Sequence, residues 1–254
     1  MELKNKKAVI TGGASGIGLT LAKKFIAEGV SVCISDINEA AVKEKAAEIG
    51  ANYVVANVGI EEDVKRLVEE ATRQLGQIDV FVANAGIAKH GGIESSAKDW
   101  QLTLDVNLLS QVYAAKYVLP QMVERKSGYI VNTASAAGLI VEFHSVMYST
   151  SKHACVGLSE WLAATYKDDG IGVSVLCPGP VKTPMAAGVA AMKEDSLDPE
   201  EVADLVINAI AKNQFMISTH EKIWKLYELK FQDYDRYIGL LAERRAYKLS
   251  FDQH

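Results

Sequence analysis

The sequence predicts an α/β fold: a doubly wound parallel sheet covered by helices on both faces, in three layers and a single domain. Three observations carry this expectation. Short β-rich apolar runs alternate with helical patterns from residue 7 onward. The runs are continuously apolar, as suits central parallel strands buried on both sides. A length of 254 residues is ordinary for one such unit and can bury a large core.

The elements follow in order. K-A-V-I-T (7–11) reads as the first strand, and 16–28 as a helix with Ile17, Leu21 and Phe25 four residues apart. S-V-C-I-S (31–35) is the second strand, and 39–49 an Ala- and Glu-rich helix stopped by Gly50. N-Y-V-V-A (52–56), a helix over 61–75 stopped by Gly76, and I-D-V-F-V-A (78–83) continue the rhythm. A long helix near 99–124 carries Trp100, Leu104, Leu108 and Val112. G-Y-I-V-N-T (128–133), a helix over 146–168 and G-V-S-V-L-C (172–177) complete the alternation, with no linker and no internal repeat.

Composition narrows the function classes. Hydrophobic residues make up 49% and charged residues 23%, which argues against disorder. A net charge of −5 gives no basic face for nucleic acid. No apolar run is long enough to span a membrane, and the N-terminus lacks the features of a signal peptide. Cys33, Cys155 and Cys177 are odd in number, far apart and set in apolar segments, so buried reduced thiols are expected. The five histidines do not fall at ligand spacing either. A metal-free, cytoplasmic chain is the expectation.

Between the first strand and first helix stands T-G-G-A-S-G-I-G (11–18). Gly12, Gly16 and Gly18 let backbone turn tightly and approach a ligand, and the loop ends where a helix N-terminus favours a pyrophosphate. The spacing G-x3-G-x-G differs from G-x-G-x-x-G, although the physics carries over. Its place at the first strand–helix junction points to a Rossmann-type sheet binding a dinucleotide. Asp36 ends the second strand, 18 residues beyond Gly18. A carboxylate there suits adenosine ribose hydroxyls and repels a 2′-phosphate, and no Arg or Lys occurs in 12–18 or at 37–38. NAD is therefore expected over NADP. The alternative is that Asp36 merely caps the following helix.

In M-Y-S-T-S-K-H (147–153), Tyr148 and Lys152 stand four apart on a predicted helix, where Cβ atoms are about 5–6 Å from each other. A phenol in water holds its proton to about pH 10. A cation at that range favours the ionised form by about 3 kcal/mol at an effective dielectric of about 20. Tyr and Lys come together readily in helices without any such role, as Tyr113 and Lys116, three apart, illustrate. The order of segments adds weight: Ser135 closes the strand 128–133 at the sheet edge where open α/β folds bind ligands, 13 residues before Tyr148. Asn84 ends the fourth strand, and Asn107 interrupts an apolar helical pattern, where burial requires polar partners.

These segments together resemble the short-chain dehydrogenase/reductase family of the single-domain type, over about residues 5–218. The matching motifs are T-G-G-A-S-G-I-G, Asp36, N-A-G (84–86), Asn107, Ser135, Y-S-T-S-K (148–152) and P-G-P-V-K-T (178–183). The resemblance implies Tyr148 as general acid/base and Lys152 as the group that eases its proton away and holds the nicotinamide ribose. It implies Ser135 as the group polarising the substrate oxygen and Asn107 as keeper of a water in a proton relay. It further implies a cofactor site of Gly12, Ser15, Gly16, Ile17, Gly18, Asp36, Ile37, Asn57, Val58, Asn84, Ala85, Gly86, Pro178, Gly179, Val181 and Thr183, together with Tyr148 and Lys152. Asn57 stands where many relatives carry an acidic residue against adenine, and its carbonyl can accept the same bond.

Q-F-M-I-S-T (214–219) is followed by about 35 residues, where tetrameric relatives commonly finish. Eight of the nineteen aromatic residues lie from Phe215 onward: Phe215, Trp224, Tyr227, Phe231, Tyr234, Tyr237, Tyr247 and Phe251. The extension 220–254 reads as an amphipathic helix that packs on its own subunit, lids the crevice or contacts another subunit; peripheral membrane attachment is a minor option. The segments 136–144 and 183–192 are expected at the reacting centre. Ser135, Ala137, Tyr148 and Met185 are the expected substrate contacts, with His90 and His144 as optional polar ones. Both segments are mostly apolar and free of Arg, which favours a moderately apolar secondary alcohol or ketone. The expected function is reversible NAD-dependent alcohol/carbonyl oxidoreduction by a homo-oligomer, a dimer or tetramer. An enoyl-thioester reductase and a catalytically idle NAD-sensing or scaffold protein are the alternatives.

Overall fold

The structure, a computed structural model, describes residues 1–186 and 195–251, with the side chains of the last helix described to Arg245. Residues 187–192 of the segment expected at the reacting centre, and the rings of Tyr247 and Phe251, lie outside the described residues. Seven parallel strands form one sheet in the order β3-β2-β1-β4-β5-β6-β7. They are β1 (Lys7–Thr11), β2 (Ser31–Asp36), β3 (Asn52–Val55), β4 (Val80–Ala83), β5 (Gly128–Thr133), β6 (Ile171–Cys177) and β7 (Met216–Ser218). The chain winds outward through β2 and β3, then returns across β1 to place β4 on its other side. This reversal opens a crevice between the carboxyl ends of β1 and β4.

Helices cover both faces. On β1, Ala8 and Ile10 point into one layer, against Leu21 and Phe25 of α1 (Gly16–Ala27), Val42 of α2 (Glu39–Ile49) and Val206 of α7 (Pro199–Lys212). Val9 points the other way, with Phe81 of β4, against Leu67 of α3 (Glu61–Leu75) and Val118 of α5 (Ser110–Glu124). Alternate strand residues thus bury on opposite faces, each large side chain contributing about 1.5–3 kcal/mol. Cys33, Cys155 and Cys177 are free and buried, and burial pushes the Cys33 and Cys177 thiols up to about 12. They are inert core residues.

Three elements differ from the sequence reading. The long helix near 99–124 is α4 (Ala97–Leu104), a π-helical segment (Asp105–Leu109) and α5. Helix α7 was not anticipated, although Asp198 and Glu201 form a capping box around Pro199 in its first turn. The C-terminal extension is two helices, α8 (Glu221–Gln232) and α9 (Tyr234–Phe251). They break at Asp233, which is extended (φ −154, ψ 90) and accepts the Arg236 N–H through Oδ1 at 2.9 Å. Asp233 therefore caps α9.

Candidate active site

The loop after β1 forms one wall of a cleft of about 480 Å³. Gly12 and Gly16 hold φ of 65 and 51, the left-handed region that favours glycine. A Cβ on Gly18 would stand 2.2 Å from the Gly12 carbonyl oxygen, so Gly18 lets α1 begin against its own loop. Ser15, the N-cap of α1, makes no side-chain cap bond, and Gly16 and Ile17, whose first-turn N–H groups have no acceptor within the helix, line the cleft. That is the donor set an anionic pyrophosphate requires. At the far end, Asp36 accepts Ala14 N–H (3.3 Å) and Asn38 N–H (3.1 Å), one on each oxygen. Asn38 is the residue that caps α2, by accepting the Ala41 N–H, so capping does not account for Asp36. These features fit a dinucleotide.

The middle of the cleft is zipped shut beneath by Thr11. Its hydroxyl accepts Asn84 and Ala85 N–H groups, both at 3.0 Å, and its carbonyl accepts the Asn84 amide at 3.0 Å. Asn84, Ala85 and Gly86 line the cleft above this seam, with Asn57, Val58 and Ile37 opposite. Asn57 Oδ1 already accepts the Gly59 N–H at 3.1 Å, which fixes the orientation of its amide.

Tyr148 and Lys152 enter the cleft from α6 (Val146–Thr165), whose N-cap Ser145 accepts the Tyr148 N–H at 3.0 Å. The Lys152 Nζ lies 5.6 Å from the Tyr148 ring centroid and donates to the Thr133 carbonyl at 2.9 Å. Lys152 is 3% exposed, and among the described lining residues it is the only basic one. Thr133 also presents a buried Oγ1 without a protein partner, suited to a polar ligand group. Ser135 begins a short 3-10 turn (Ala136–Gly138), and its Oγ accepts the Ala137 N–H at 3.1 Å. A hydroxyl that accepts this way keeps its own proton to donate, and Ser135 follows Thr133 and Ala134, which line the cleft.

Asn107 sits in the π segment, fully buried. Its amide clasps Ile87 twice, accepting the backbone N–H (2.8 Å) and donating to the carbonyl (3.0 Å), and donates to Ser151 Oγ at 3.1 Å. The extra residue of the π turn leaves the Asn107 carbonyl for the Cys155 thiol at 3.0 Å. Asn107 therefore ties the cleft wall to α6, with both ends of its amide on protein partners.

Six expected site residues are not among the lining: Gly18, Asn107, Ser135, Ala137, Gly179 and Val181. Val181, 5% exposed, pairs with Leu197, and Gly179 donates its N–H to Thr219 Oγ1 at 2.9 Å. Ala137, 4% exposed, holds Ser135 rather than facing the cleft. Pro178, Thr183 and Met185 do line it. Sequence reading missed Ile87, Leu102 and Val106, which add apolar lining to the cleft, Val106 next to Gly59 and Asn57. Leu102 and Val106 are four apart on the helix that carries Asn107, a signal that was available.

The segment after Ser135 first bonds to backbone, Ala136 N–H to the Pro178 carbonyl at 2.8 Å and Ile140 N–H to the Ala136 carbonyl at 2.9 Å, and side chains take groups further on. Glu142 exchanges two bonds with Ser149 Oγ on α6 (2.9 and 3.0 Å). The C-terminal helices hold two more: Lys230 Nζ donates to the Leu139 carbonyl at 3.0 Å, and Tyr237 Oη accepts the Val141 N–H at 3.2 Å. Lys230 also meets His153 Nε2 at 3.2 Å, while His153 Nδ1 faces the Ser149 carbonyl at 2.9 Å. One neutral tautomer satisfies both contacts, Nδ1 donating and Nε2 accepting.

Burial, aided by the Lys230 cation, outweighs the bond to the Ser149 carbonyl and holds His153 below its usual range. The unfolded chain therefore binds this proton at higher pH than the folded one, and the stability is full above about pH 6.5 and lost as pH falls. The melting temperature is expected to drop from about pH 7 to about pH 5, and the drop to be smaller in His153→Gln.

The profile described as short chain dehydrogenase matches residues 6–194. The 1-deoxy-11-beta-hydroxypentalenate dehydrogenase of Streptomyces exfoliatus is 34% identical over 253 residues, 94% of this chain and 92% of that protein. The 3beta-hydroxysteroid dehydrogenase 2 of Eggerthella lenta is 37% identical over 195 residues, 74% of this chain and 75% of that one. Among solved structures, a short chain dehydrogenase/reductase from Burkholderia phymatum in complex with NAD superposes with a TM-score of 0.85 at 30% identity, covering 92% of this chain and 96% of its own.

Proposed function

The chain belongs to the short-chain dehydrogenase family, and from that premise we propose that it is a NAD-dependent oxidoreductase interconverting a secondary alcohol and a ketone. The observation that carries the proposal is convergence: Tyr148 and Lys152 line the same cleft as the glycine loop and Asp36. NAD, when bound, supplies the hydride acceptor. In the oxidative direction Tyr148 Oη takes the alcohol proton while Ser135 Oγ donates to the same oxygen and holds it in place. The Lys152 ammonium, 5.6 Å from the ring, offsets the negative charge that develops on the Tyr148 oxygen as the proton moves. The 136–144 segment that follows Ser135 is mostly apolar and free of Arg, which supports a substrate with an apolar carbon skeleton. The hydroxypentalenate and hydroxysteroid dehydrogenases support an alcohol.

A panel of secondary alcohols and ketones with NAD(H) and NADP(H), read by reduced-nicotinamide absorbance, tests the reading. Turnover with NAD is expected. Binding of NAD with no turnover across the panel favours a sensing protein instead. Asp36 supports NAD, because a 2′-phosphate beside its carboxylate brings like charges together. Asp36→Ala is expected to narrow the NAD-over-NADP ratio of kcat/KM by about tenfold or more. Equal use of both cofactors by the unmodified chain contradicts this.

A further inference from the structure

We propose that the α8–α9 hairpin sets the substrate side of the cleft, with Lys230 and Tyr237 as positioning residues that hold the 136–144 segment, and through it Ser135, against α6. The inference rests on the oxidoreductase reading for its kinetic consequence, while the brace itself is a matter of contacts.

An irregular segment beside a reacting centre must place its backbone polar groups somewhere; Ala136, Gly138, Leu139 and Ile140 give their N–H groups to backbone carbonyls, and side chains take groups between Leu139 and Glu142. Leu139 O and Val141 N are taken by Lys230 and Tyr237, both from the extension. The other clasp, at Glu142, comes from Ser149 on α6. Lys230 reaches α6 as well, through His153, the residue after Lys152. One ammonium thus joins the segment and the catalytic helix, and two rings enclose it, those of Tyr227 and Tyr237, each with its centroid 5.9 Å away. Charge-assisted bonds of this kind are stronger than neutral ones.

The hairpin is anchored firmly enough to act as a reference. Tyr237 is 1% exposed and Leu241 5%, while Tyr227 and Ile223 pack with Leu139. The fit on the α6 side is close: a Cβ on Gly138 would stand 2.5 Å from the Lys152 carbonyl oxygen. A segment pressed against α6 from outside and stopped by it from inside holds Ser135 in one position. The extension therefore acts on the substrate oxygen, and the glycine loop and Asp36 lie outside its reach.

The test uses the full chain carrying Lys230→Met, Tyr237→Phe or Lys230→Arg. Amide hydrogen exchange over 136–144 is measured without ligands, and substrate KM, kcat and NADH affinity are measured separately. Lys230→Met and Tyr237→Phe are expected to speed exchange in the segment, at Val141 above all in the second, by about threefold to tenfold. Substrate KM is expected to rise by a similar factor with NADH affinity unchanged, and Lys230→Arg to recover most of the loss. Unchanged exchange in both variants overturns the brace. Faster exchange with unchanged KM and kcat, or a parallel loss of NADH affinity, overturns the positioning role. If the unmodified chain turns over no alcohol or ketone, the oxidoreductase reading falls while exchange still decides the brace.

Discussion

Tyr148→Phe is expected to lower kcat by about a thousandfold or more while leaving NADH affinity within about twofold, as measured by steady-state kinetics and fluorescence titration. The substitution keeps the ring and removes one hydroxyl, so the packing of α6 and the Ser145 cap on its first turn persist. Lys152 keeps its bond to the Thr133 carbonyl. What disappears is the proton acceptor, and general acid–base contributions reach about 10⁴-fold. A variant retaining a tenth of the turnover removes Tyr148 from the proposed chemistry.

Lys152→Met is expected to lower kcat by about a hundredfold with little change in melting temperature. A cation at this range stabilises an ionised phenol by about 3 kcal/mol at an effective dielectric of about 20, which converts to about two powers of ten. Stability is spared for three reasons. The ammonium is buried and, among the described residues, pairs with no carboxylate, so removing it relieves a desolvation cost. Methionine fills the same channel with a flexible apolar chain. The Thr133 carbonyl remains bonded to Gln111 Nε2 at 3.1 Å, so no acceptor is orphaned. A large fall in melting temperature with kcat unchanged makes Lys152 structural instead.

The sheet was legible because central parallel strands must be apolar on both faces, and V-C-I or V-F-V admits little else. The glycine loop was legible because Gly12 and Gly16 occupy φ values that other residues avoid. Gly18 was legible as a glycine, while its reason, a helix start pressed on the Gly12 carbonyl, needed coordinates. The π segment left no mark, since one extra residue in a turn alters neither the composition nor the apolar spacing of L-D-V-N-L-L. The break between α8 and α9 hid for another reason: a single Asp at 233 serves equally as a solvated helix residue or as a cap. Ala137, Gly179 and Val181 sit beside lining residues in sequence yet behind them in space, a distinction set by backbone direction at each turn. The clasps on Leu139 and Val141 join residues about ninety positions apart, beyond any local pattern.

The central claim is that the cleft joining the glycine loop to Tyr148 carries hydride between a substrate carbon and a nicotinamide. The panel alcohol turned over fastest, deuterated at its carbinol carbon, tests this directly when the products are analysed by mass spectrometry. The account predicts that the label leaves that carbon and is recovered in the reduced cofactor, with Tyr148→Phe suppressing the transfer. Label retained in the product, or released to solvent with none in the cofactor, contradicts it.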